Sequence, residues 1–576
     1  MLQLFAEVSF SLSLSLRFKM SSPHVSHPSL RTTFHGLYPK NKSVSQFRGI
    51  KYGTIPARFI QATLKEDFTE NYDATNYGGS PKCPQPVFPV RMEDALIQVP
   101  TGLASHAEDV FDEFECLNLN ITAPAGSNEA SQFPVLIYIH GGGGFSGSNS
   151  DWWCDGSSIV AESIKLEKPI VMVAINYRLG PLGYMGSHEL RNELGRENAG
   201  NYGPRDIVLL PDAFGRCKFH LAISWVSKYI APFGGSQNIT ISGESAGSLA
   251  VEAQIHSLLP AQFSRAILQS QNLGQAMFSI PQSLEAKSEL YQKTKDQLKV
   301  HTVKELQEVP WEKYIDAYRA IDPRPGLGEL VTIDDEFFSS NWRTTFSFAN
   351  NPEAEALVGN TGREGSVIEF LSILAPKPES RPTIEALTTT LSGIMPSSKV
   401  GEILNAYKIT ADSSVEDAST KFLDIIEDLL FYKGAAEFAT LAREAGIPVR
   451  EYGFQQGNPF PGMFKGVSTH SLDLAYLHGD PAMFSGVENP ESEWGVQREM
   501  QRNWIDFAYG KKTWVGKDNV LVVGSRGEGY LGSREWFFDE MRRGKAWGAF
   551  EGLGEEQMGA LTGVVLGHYA GLVGRG

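Results

Sequence analysis

Short runs of apolar, β-branched residues bounded by turn residues recur along the first half of the chain. Residues 135–139 (VLIYI) and 170–176 (IVMVAIN) are apolar at successive positions rather than at alternate ones. Such runs predict strands buried on both faces, as in a sheet with helices on either side. Residues 238–242 (NITIS) predict a third strand, followed by helical composition over residues 246–259. Alternating strands and helices favour an α/β architecture with a mostly parallel sheet.

The second half of the chain, over residues 280–350 and 376–450, is richer in helical sequence. We predict that these stretches are helical insertions that form a cap over the sheet. No low-complexity linker or repeat interrupts residues 46–576, so we assign them to a single domain. Residues 1–45 are predicted to be an N-terminal extension that need not be ordered.

The composition excludes several classes of protein. Of the 576 residues, 41% are hydrophobic and 20% are charged, as in ordinary globular proteins. The net charge is −16, and so acidic a chain is not expected to bind nucleic acid. No stretch reaches the roughly 20 apolar residues that span a bilayer, so we expect no transmembrane segment. The cysteines lack CxxC spacing, and we expect no metal site.

The N-terminus bears on the cellular compartment. Residues 1–16 are apolar with alternating serines but lack a preceding basic segment, and Arg17 and Lys19 follow instead of a cleavage site. They are either a poor signal peptide or part of an extension before Met20, and we favour the extension. We therefore predict a cytoplasmic protein, with secretion as the alternative. Only a secreted chain would use its glycosylation sequons, which are at Asn41, Asn120 and Asn238.

Residues 243–247 (GESAG) match the pattern G-x-S-x-G between a predicted strand and a predicted helix. A nucleophile elbow places Ser245 on a strained turn that requires small residues two positions before and after it. The turn also sets the serine hydroxyl at a helix N-terminus, where the dipole favours negative charge. The pattern alone is weak, because a glycine-rich turn without chemistry has the same letters. Its placement between strand and helix favours a catalytic serine.

A run of glycines, residues 141–144, directly follows another predicted strand and His140. Amides of residues without side chains can converge on one oxygen, as an oxyanion hole requires in acyl transfer. A flexible loop or a phosphate-binding turn is the alternative, but the motifs that bind nucleotide phosphates are missing. Together the glycine run and the GESAG segment favour a serine hydrolase.

A serine nucleophile needs a base, and the base needs an orienting acid. In the hydrolase order the acid follows Ser245 and the histidine follows the acid. Glu364 stands beside a glycine after a short apolar run, and three histidines lie downstream of it. His568 lies in an apolar C-terminal segment and is assigned a structural role. His470 and His478 both remain candidates for the base.

Further motifs occur in a fixed order from about Phe47 onward. They include residues 47–52 (FRGIKY), 115–120 (ECLNLN), 176–180 (NYRLG), 200–203 (GNYG) and 265–270 (RAILQS). With the glycine run and the GESAG segment, they resemble the type-B carboxylesterase/lipase family, the cholinesterase-like branch of the α/β-hydrolases. The resemblance implies an α/β-hydrolase fold, with a central mostly parallel twisted sheet, helices on both faces and helical cap insertions.

The resemblance also implies roles for single residues. Ser245 would be the nucleophile and Glu364 the acid of the triad. Residues 470–476 (HSLDLAY) are similar to the family's H-G-x-E-L-x-Y, which favours His470 over His478 as the general base. The oxyanion-hole donors would be the amides of Gly142, Gly143 and Ala246.

Two further pairs are implied by the resemblance. Cys83 and Cys116 match the family's first disulfide, and Arg178 and Asp206 match a buried salt bridge. One departure follows directly, because extra residues near 207–218 interrupt the family's pattern. This insertion is either a real loop or a gene-model error.

The resemblance and the site residues predict a serine hydrolase that cleaves carboxylic esters, either a carboxylesterase or a lipase acting through an acyl-enzyme intermediate. This chemistry needs neither a metal nor an organic cofactor, and the expected partner is a small-molecule or lipid ester. The alternative is a catalytically silent, cholinesterase-like binding or adhesion protein. Such relatives typically lose the nucleophile, the base or the oxyanion hole, and this sequence retains all three.

Overall fold

The computed structural model describes residues 22–76, 81–88, 90–104, 106–207, 221–274, 279–321, 330–373, 383–511, 518–524 and 529–573. Its strands are numbered in chain order. They are β1 (His24–His27), β2 (Thr32–His35), β3 (Val44–Lys51), β4 (Gly53–Thr54), β5 (Thr63–Leu64), β6 (Asn71–Asp73), β7 (Asn118–Pro124), β8 (Phe133–Ile139), β9 (Val171–Ile175), β10 (Gly235–Glu244), β11 (Arg265–Gln269), β12 (Gln282–Ser283), β13 (Thr332–Ile333), β14 (Glu355–Thr361), β15 (Val449–Phe454), β16 (Asn519–Val523) and β17 (Tyr530–Ser533).

Ten of these strands form one sheet, in the order β17-β16-β15-β14-β11-β10-β8-β9-β7-β3. Every neighbouring pair from β16 to β9 in this order is parallel. The edges are antiparallel, where β17 pairs with β16 and β7 pairs with both β9 and β3. The predicted mostly parallel sheet is therefore confirmed, and the three hydrophobic runs lie in β8, β9 and β10.

Both faces of the central strands are buried. In β8, Val135, Ile137 and Ile139 belong to one hydrophobic cluster, whereas Leu136 and Tyr138 belong to another. Successive side chains of a strand point to opposite faces, so the two clusters are the two cores of a sheet between helical layers.

The helices supply the crossovers between parallel strands and a further layer in the second half of the chain. Helices α11 to α14 and α19 contribute to a third hydrophobic cluster, which confirms the helical character predicted for that half. No helix within the described ranges is long and apolar enough to cross a membrane. The helices are α1 (Met92–Ile97), α2 (Ser157–Lys165), α3 (Gly180–Tyr184), α4 (His188–Leu194), α5 (Tyr202–Ile207), α6 (Ala222–Tyr229), α7 (Ala246–Ile255), α8 (Leu284–Leu298), α9 (Val303–Glu308), α10 (Trp311–Ile321), α11 (Ser366–Ile373), α12 (Ile384–Ser392), α13 (Ser397–Ala406), α14 (Val415–Glu427), α15 (Lys433–Glu444), α16 (Leu472–Leu477), α17 (Pro490–Ala508), α18 (Arg534–Trp536) and α19 (Glu555–Val573), with a π-helical turn, Asp428–Tyr432, between α14 and α15.

The N-terminal strands correct the predicted extension over residues 1–45. β1 and β2 pair antiparallel, and β6 adds to β2 in a small three-stranded sheet. Phe34 of β2 is fully buried, and its ring packs against Phe68, Tyr72 and Phe233. Because these apolar contacts order the strands, folded structure begins before residue 46. Residues 1–21, which include the apolar segment, lie outside the described residues.

Candidate active site

Ser245 lies on a sharp turn between the end of β10 at Glu244 and the start of α7. Its backbone has φ 55° and ψ −125°, which residues other than glycine rarely adopt. A Cβ on Gly243 would lie 2.3 Å from the carbonyl oxygen of Gly247, and one on Gly247 would lie 2.1 Å from that of Ile139. The residues two positions before and after the serine must therefore be glycine. The strand–turn–helix elbow is thus present at the centre of the sheet.

The glycine run after β8 lies against this turn. A Cβ on Gly141 would be 3.2 Å from the Cβ of Ser245, so the loop contacts the serine. Gly142 and Gly143 have φ of 95° and 65°, and in the described chain their amides donate to no acceptor. The amide of Ala246 opens α7, where first-turn amides have no partner within the helix. Unpaired amides beside a serine hydroxyl can bind an oxyanion.

Glu364 and His470 meet at the carboxyl ends of β14 and β15. Glu364 is fully buried, and its Oε2 lies 2.5 Å from Nδ1 of His470. Its Oε1 accepts a hydrogen bond from the amide of Thr361 at 2.6 Å. The structure thus brings together the acid and the base that the resemblance implies, and it leaves Nε2 of the histidine facing away from Glu364.

Groups outside the predicted site hold the histidine. Ser366 Oγ accepts a hydrogen bond from the amide of His470 at 2.9 Å and donates one to the carbonyl of Arg363 at 2.8 Å. The ring of His470 packs against Phe431, with 5.3 Å between the ring centroids. These contacts fix both the backbone and the ring plane of the histidine.

A second carboxylate faces the other side of the His470 ring. Glu244 Oε1 lies 3.3 Å from His470 Nε2 and accepts a hydrogen bond from Ser471 Oγ at 2.7 Å. Because Glu244 directly precedes Ser245, this contact brings Nε2 to the elbow. The structure describes Ser245 fully, and its hydroxyl makes no hydrogen bond there. Sequence analysis missed Glu244, which occupies the unspecified position of the motif and meets its partner 227 residues later.

The charges at the site oppose the effect of burial on the histidine. Burial alone lowers the pKa of His470, but the carboxylates of Glu244 and Glu364 outweigh it and raise this pKa to about 9. Burial raises the pKa of Glu244 to about 8, against the opposing effect of His470. Burial likewise raises the pKa of Asp473 to about 6. The carboxyl groups of Glu244 and Glu364 thus favour the protonated form of His470.

His478, the other candidate base, is separate from this arrangement. Its ring packs against Tyr138 with 4.7 Å between centroids, and within the described ranges its two nitrogens have no hydrogen-bond partner. Burial lowers its pKa to about 3. His478 is thus a neutral core residue at the end of α16. His568 lies within α19, where its Nδ1 is 3.0 Å from the carbonyl oxygen of Val564.

The cysteines differ from what the resemblance implies. Cys83 and Cys116 are free, buried thiols rather than a disulfide. The amide of Leu179 donates to Cys83 Sγ at 3.2 Å, and Cys116 Sγ donates to the carbonyl of Glu113 at 3.6 Å. Hydrogen bonding to Cys83 and burial both raise the pKa of Cys116. The structure thus has two hydrogen-bonded thiols in place of the implied disulfide, and thiol counting decides between the two forms.

The implied salt bridge is present. Arg178 and Asp206 form a two-pronged buried pair, with Nε–Oδ2 and Nη2–Oδ1 distances of 2.8 and 2.7 Å. The pair joins the end of β9 to α5, just before the insertion near residues 207–218. Residues 208–220, which contain nearly all of this insertion, lie outside the described residues.

The fold and the serine elbow define the structural class of the protein. A mostly parallel sheet with a strand–serine–helix elbow at its centre is the α/β-hydrolase fold. A solved PNB esterase, 21% identical to this chain, has the same fold, with a TM-score of 0.68 over 91% of this chain and 99% of that one. The model of the carboxylesterase family matches residues 31–517, so the protein belongs to the carboxylesterase family.

Two relatives show the character of the family. Lipase 1 of Yarrowia lipolytica (strain CLIB 122 / E 150) is 27% identical over 547 residues, covering 93% of this chain and 97% of that protein. A protein named "Fatty acyl-CoA hydrolase precursor, medium chain" from Anas platyrhynchos is 26% identical over 491 residues, covering 81% and 80%. The protein is accordingly a carboxylic ester hydrolase.

Proposed function

We propose that the protein hydrolyses carboxylic esters through a Ser245–His470–Glu364 triad and an acyl-enzyme intermediate. The buried 2.5 Å contact between Glu364 and His470 carries the proposal, because it leaves Nε2 of the ring on the side of the elbow, 3.3 Å from Glu244, the residue before Ser245. The unpaired amides of Gly142 and Gly143 support it, since the glycine run contacts the serine at Gly141. Membership of the carboxylesterase family supports an ester as the bond that is cleaved.

In this mechanism Ser245 Oγ attacks the ester carbonyl carbon while Nε2 of His470 takes its proton. The tetrahedral oxyanion accepts hydrogen bonds from the amides of Gly142, Gly143 and Ala246. Collapse breaks the bond to the alcohol, which leaves with the proton from Nε2, and the acyl group stays on the serine. Water then attacks the acyl-enzyme with the same histidine as base, which releases the carboxylic acid and restores the hydroxyl.

A fluorophosphonate tests the nucleophile, because it phosphonylates an activated serine and is not released. We expect one label per chain, found on Ser245 by peptide mapping, and a burst of p-nitrophenol when the unlabelled enzyme meets p-nitrophenyl acetate. Labelling at another serine, or turnover that survives full labelling, would contradict the proposal.

The substrate class is proposed as a small-molecule or lipid ester. Rates with p-nitrophenyl esters of increasing acyl length, measured with and without micelles, separate the two. A rise in rate at the micelle interface indicates a lipase, whereas a preference for short, monomeric esters indicates an esterase.

The compartment stays open to experiment. The relatives do not support the expected cytoplasmic location, and the name of one of them includes the word "precursor". Alkylation before purification followed by thiol counting decides: four free thiols are expected for a reducing compartment. Two free thiols together with glycans at the sequons would indicate secretion.

A further inference from the structure

Residues 362–365 form the loop that follows β14 and carries Glu364. An arginine from the C-terminal part of the chain holds the end of β14 that leads into this loop. Nη2 of Arg542 donates to the carbonyl oxygen of Thr361 at 3.0 Å and lies 3.4 Å from that of Asn360. Its guanidinium lies over the rings of Tyr432 and Phe537, at 4.3 and 4.7 Å from their centroids. Arg542 is only 1% exposed, so this contact belongs to the interior of the protein.

The next residue holds the other side of the same loop through an intermediate carboxylate. Nη2 of Arg543 donates to Glu427 Oε2 at 2.6 Å and to Asp428 Oδ1 at 2.7 Å. Glu427 Oε1 in turn accepts a hydrogen bond from the amide of Gly365 at 2.8 Å. Gly365 directly follows Glu364, so two hydrogen bonds connect Arg543 to the backbone beside the acid.

The remaining contacts of the loop come from the same region. The hydroxyl of Tyr432 lies 3.2 Å from the carbonyl oxygen of Thr361 and 3.1 Å from that of Gly362. Arg363, in the loop itself, donates to Asp424 at 2.8 Å and to Glu427 at 3.4 Å. Behind the loop, two arginines, Arg363 and Arg543, thus pair with three carboxylates. These are Asp424, Glu427 and Asp428, of which Glu427 and Asp428 are fully buried.

We propose that Arg542 and Arg543 are positioning residues for Glu364, and that the C-terminal part of the chain thereby sets the alignment of the triad. This inference rests on the proposed function, since it takes Glu364 as the acid. Both arginines lie beyond residue 517, where the match to the family model ends. Neither residue contacts the reacting atoms; each acts through the backbone on either side of Glu364.

Loss of the Arg543 guanidinium has two physical consequences. Glu427 then keeps only one cationic partner, Arg363 at 3.4 Å, so its hydrogen bond to the amide of Gly365 is held less firmly. As a result Glu364 no longer meets Nδ1 of His470 in one geometry. The site also loses a positive charge. His470 is already faced by carboxyl groups from four segments, and loss of a nearby cation raises the pKa of the ring further. These carboxyl groups belong to Glu93, Glu244, Glu364 and Asp473.

The experiment compares Arg543→Met and Arg543→Lys with a matched control, Arg502→Met. Arg502 is a half-exposed arginine on α17 that pairs with Glu499. For Arg543→Met we expect kcat to fall by about 10-fold to 100-fold with KM nearly unchanged, since small misplacements of catalytic groups cost up to about 100-fold. We also expect the acidic limb of the kcat/KM profile to move to higher pH. Arg543→Lys keeps the positive charge, so it should leave the acidic limb at the pH of the unmodified enzyme and retain part of kcat.

Thermal unfolding and near-ultraviolet circular dichroism identify the folded fraction to which each kcat refers. The inference is overturned if Arg543→Met equals the control in kcat and in pH profile. It is also overturned if kcat falls without movement of the limb and Arg543→Lys restores nothing, because that pattern is purely structural. Glu364→Gln separates the two proposals: it should cost about 10⁴-fold, and a fully active Glu364→Gln enzyme would refute the triad itself.

Discussion

The two halves of the active site are built in different ways. The serine half consists of backbone: Ser245 at a strained φ, glycines two positions on either side, and the glycine loop against them. The acid–base half consists of side chains from distant segments, with Glu364 and His470 separated by 106 residues and Glu244 and Ser471 by 227. The serine half is therefore sensitive to any added atom, whereas the acid–base half is sensitive to charge.

The largest effect should show that the two halves act as one unit. Ser245→Ala and His470→Ala should each reduce kcat by about 10⁴-fold or more, because either change removes proton-coupled attack. The double variant should be no slower than the single ones. Steady-state kinetics on folded protein, with circular dichroism as the control, measure this. Losses that multiply in the double variant would show that the halves work independently.

A smaller effect tests the backbone half alone. A Cβ on Gly142 would lie 2.3 Å from the carbonyl oxygen of Ser146, at a φ that alanine avoids. Gly142→Ala should therefore displace an oxyanion donor and lower kcat by about 10² to 10³-fold. Labelling by the fluorophosphonate should slow in parallel. An enzyme with unchanged kcat would mean that this amide does not hold the oxyanion.

The charge of the acid–base half is tested through pH. Only the neutral His470 can take a proton, and its pKa is raised to about 9, so kcat/KM should fall as pH drops through that value. Glu244→Gln removes one of the carboxyl groups that raise this pKa, and should move the acidic limb down by about 1 to 3 pH units. The kcat/KM profile from pH 5 to 10 measures the shift. A limb that stays in place would contradict the role of Glu244.

The smallest effect separates the two histidines at the ends of α16. His478 packs on Tyr138 and contacts neither Glu364 nor the elbow in the described structure. His478→Ala should therefore cost less than about tenfold in kcat, although it leaves a cavity in the core that lowers the melting temperature. If this variant were as inactive as His470→Ala, the assignment of the base would be wrong by eight residues.

Local sequence pattern predicted the backbone half and the centre of the sheet. The runs in β8, β9 and β10 are apolar on both faces, and the elbow needs its glycines wherever it occurs. The strands and the elbow can therefore each be recognised from a short stretch of sequence. The N-terminal strands left no such signal. β1 and β2 are short and contain polar residues, and they are ordered by rings such as Phe233 from another part of the chain.

The acid–base half was less accessible to sequence reasoning. Elementary chemistry narrowed the base to His470 or His478, and only the family resemblance separated them. Glu244, Ser366 and the Arg542–Arg543 pair were not found, because nothing near them in sequence marks their partners. Their roles arise when the end of β10, the loop after β14, the segment after β15 and the C-terminal part of the chain pack together, which is a property of the tertiary structure.

The parallel order of the central strands also has a kinetic consequence. In the sheet β10 lies next to β8, although β9 comes between them in the chain. Likewise β15 pairs with β14, although helices α11 to α15 lie between these two strands in the chain. Contacts between such distant segments are slow to form, because each requires the closure of a long loop. The triad draws on strand ends from β10, β14 and β15, so it can assemble only after these loops have closed. Esterase activity should therefore return late in refolding, after the secondary structure seen by far-ultraviolet circular dichroism.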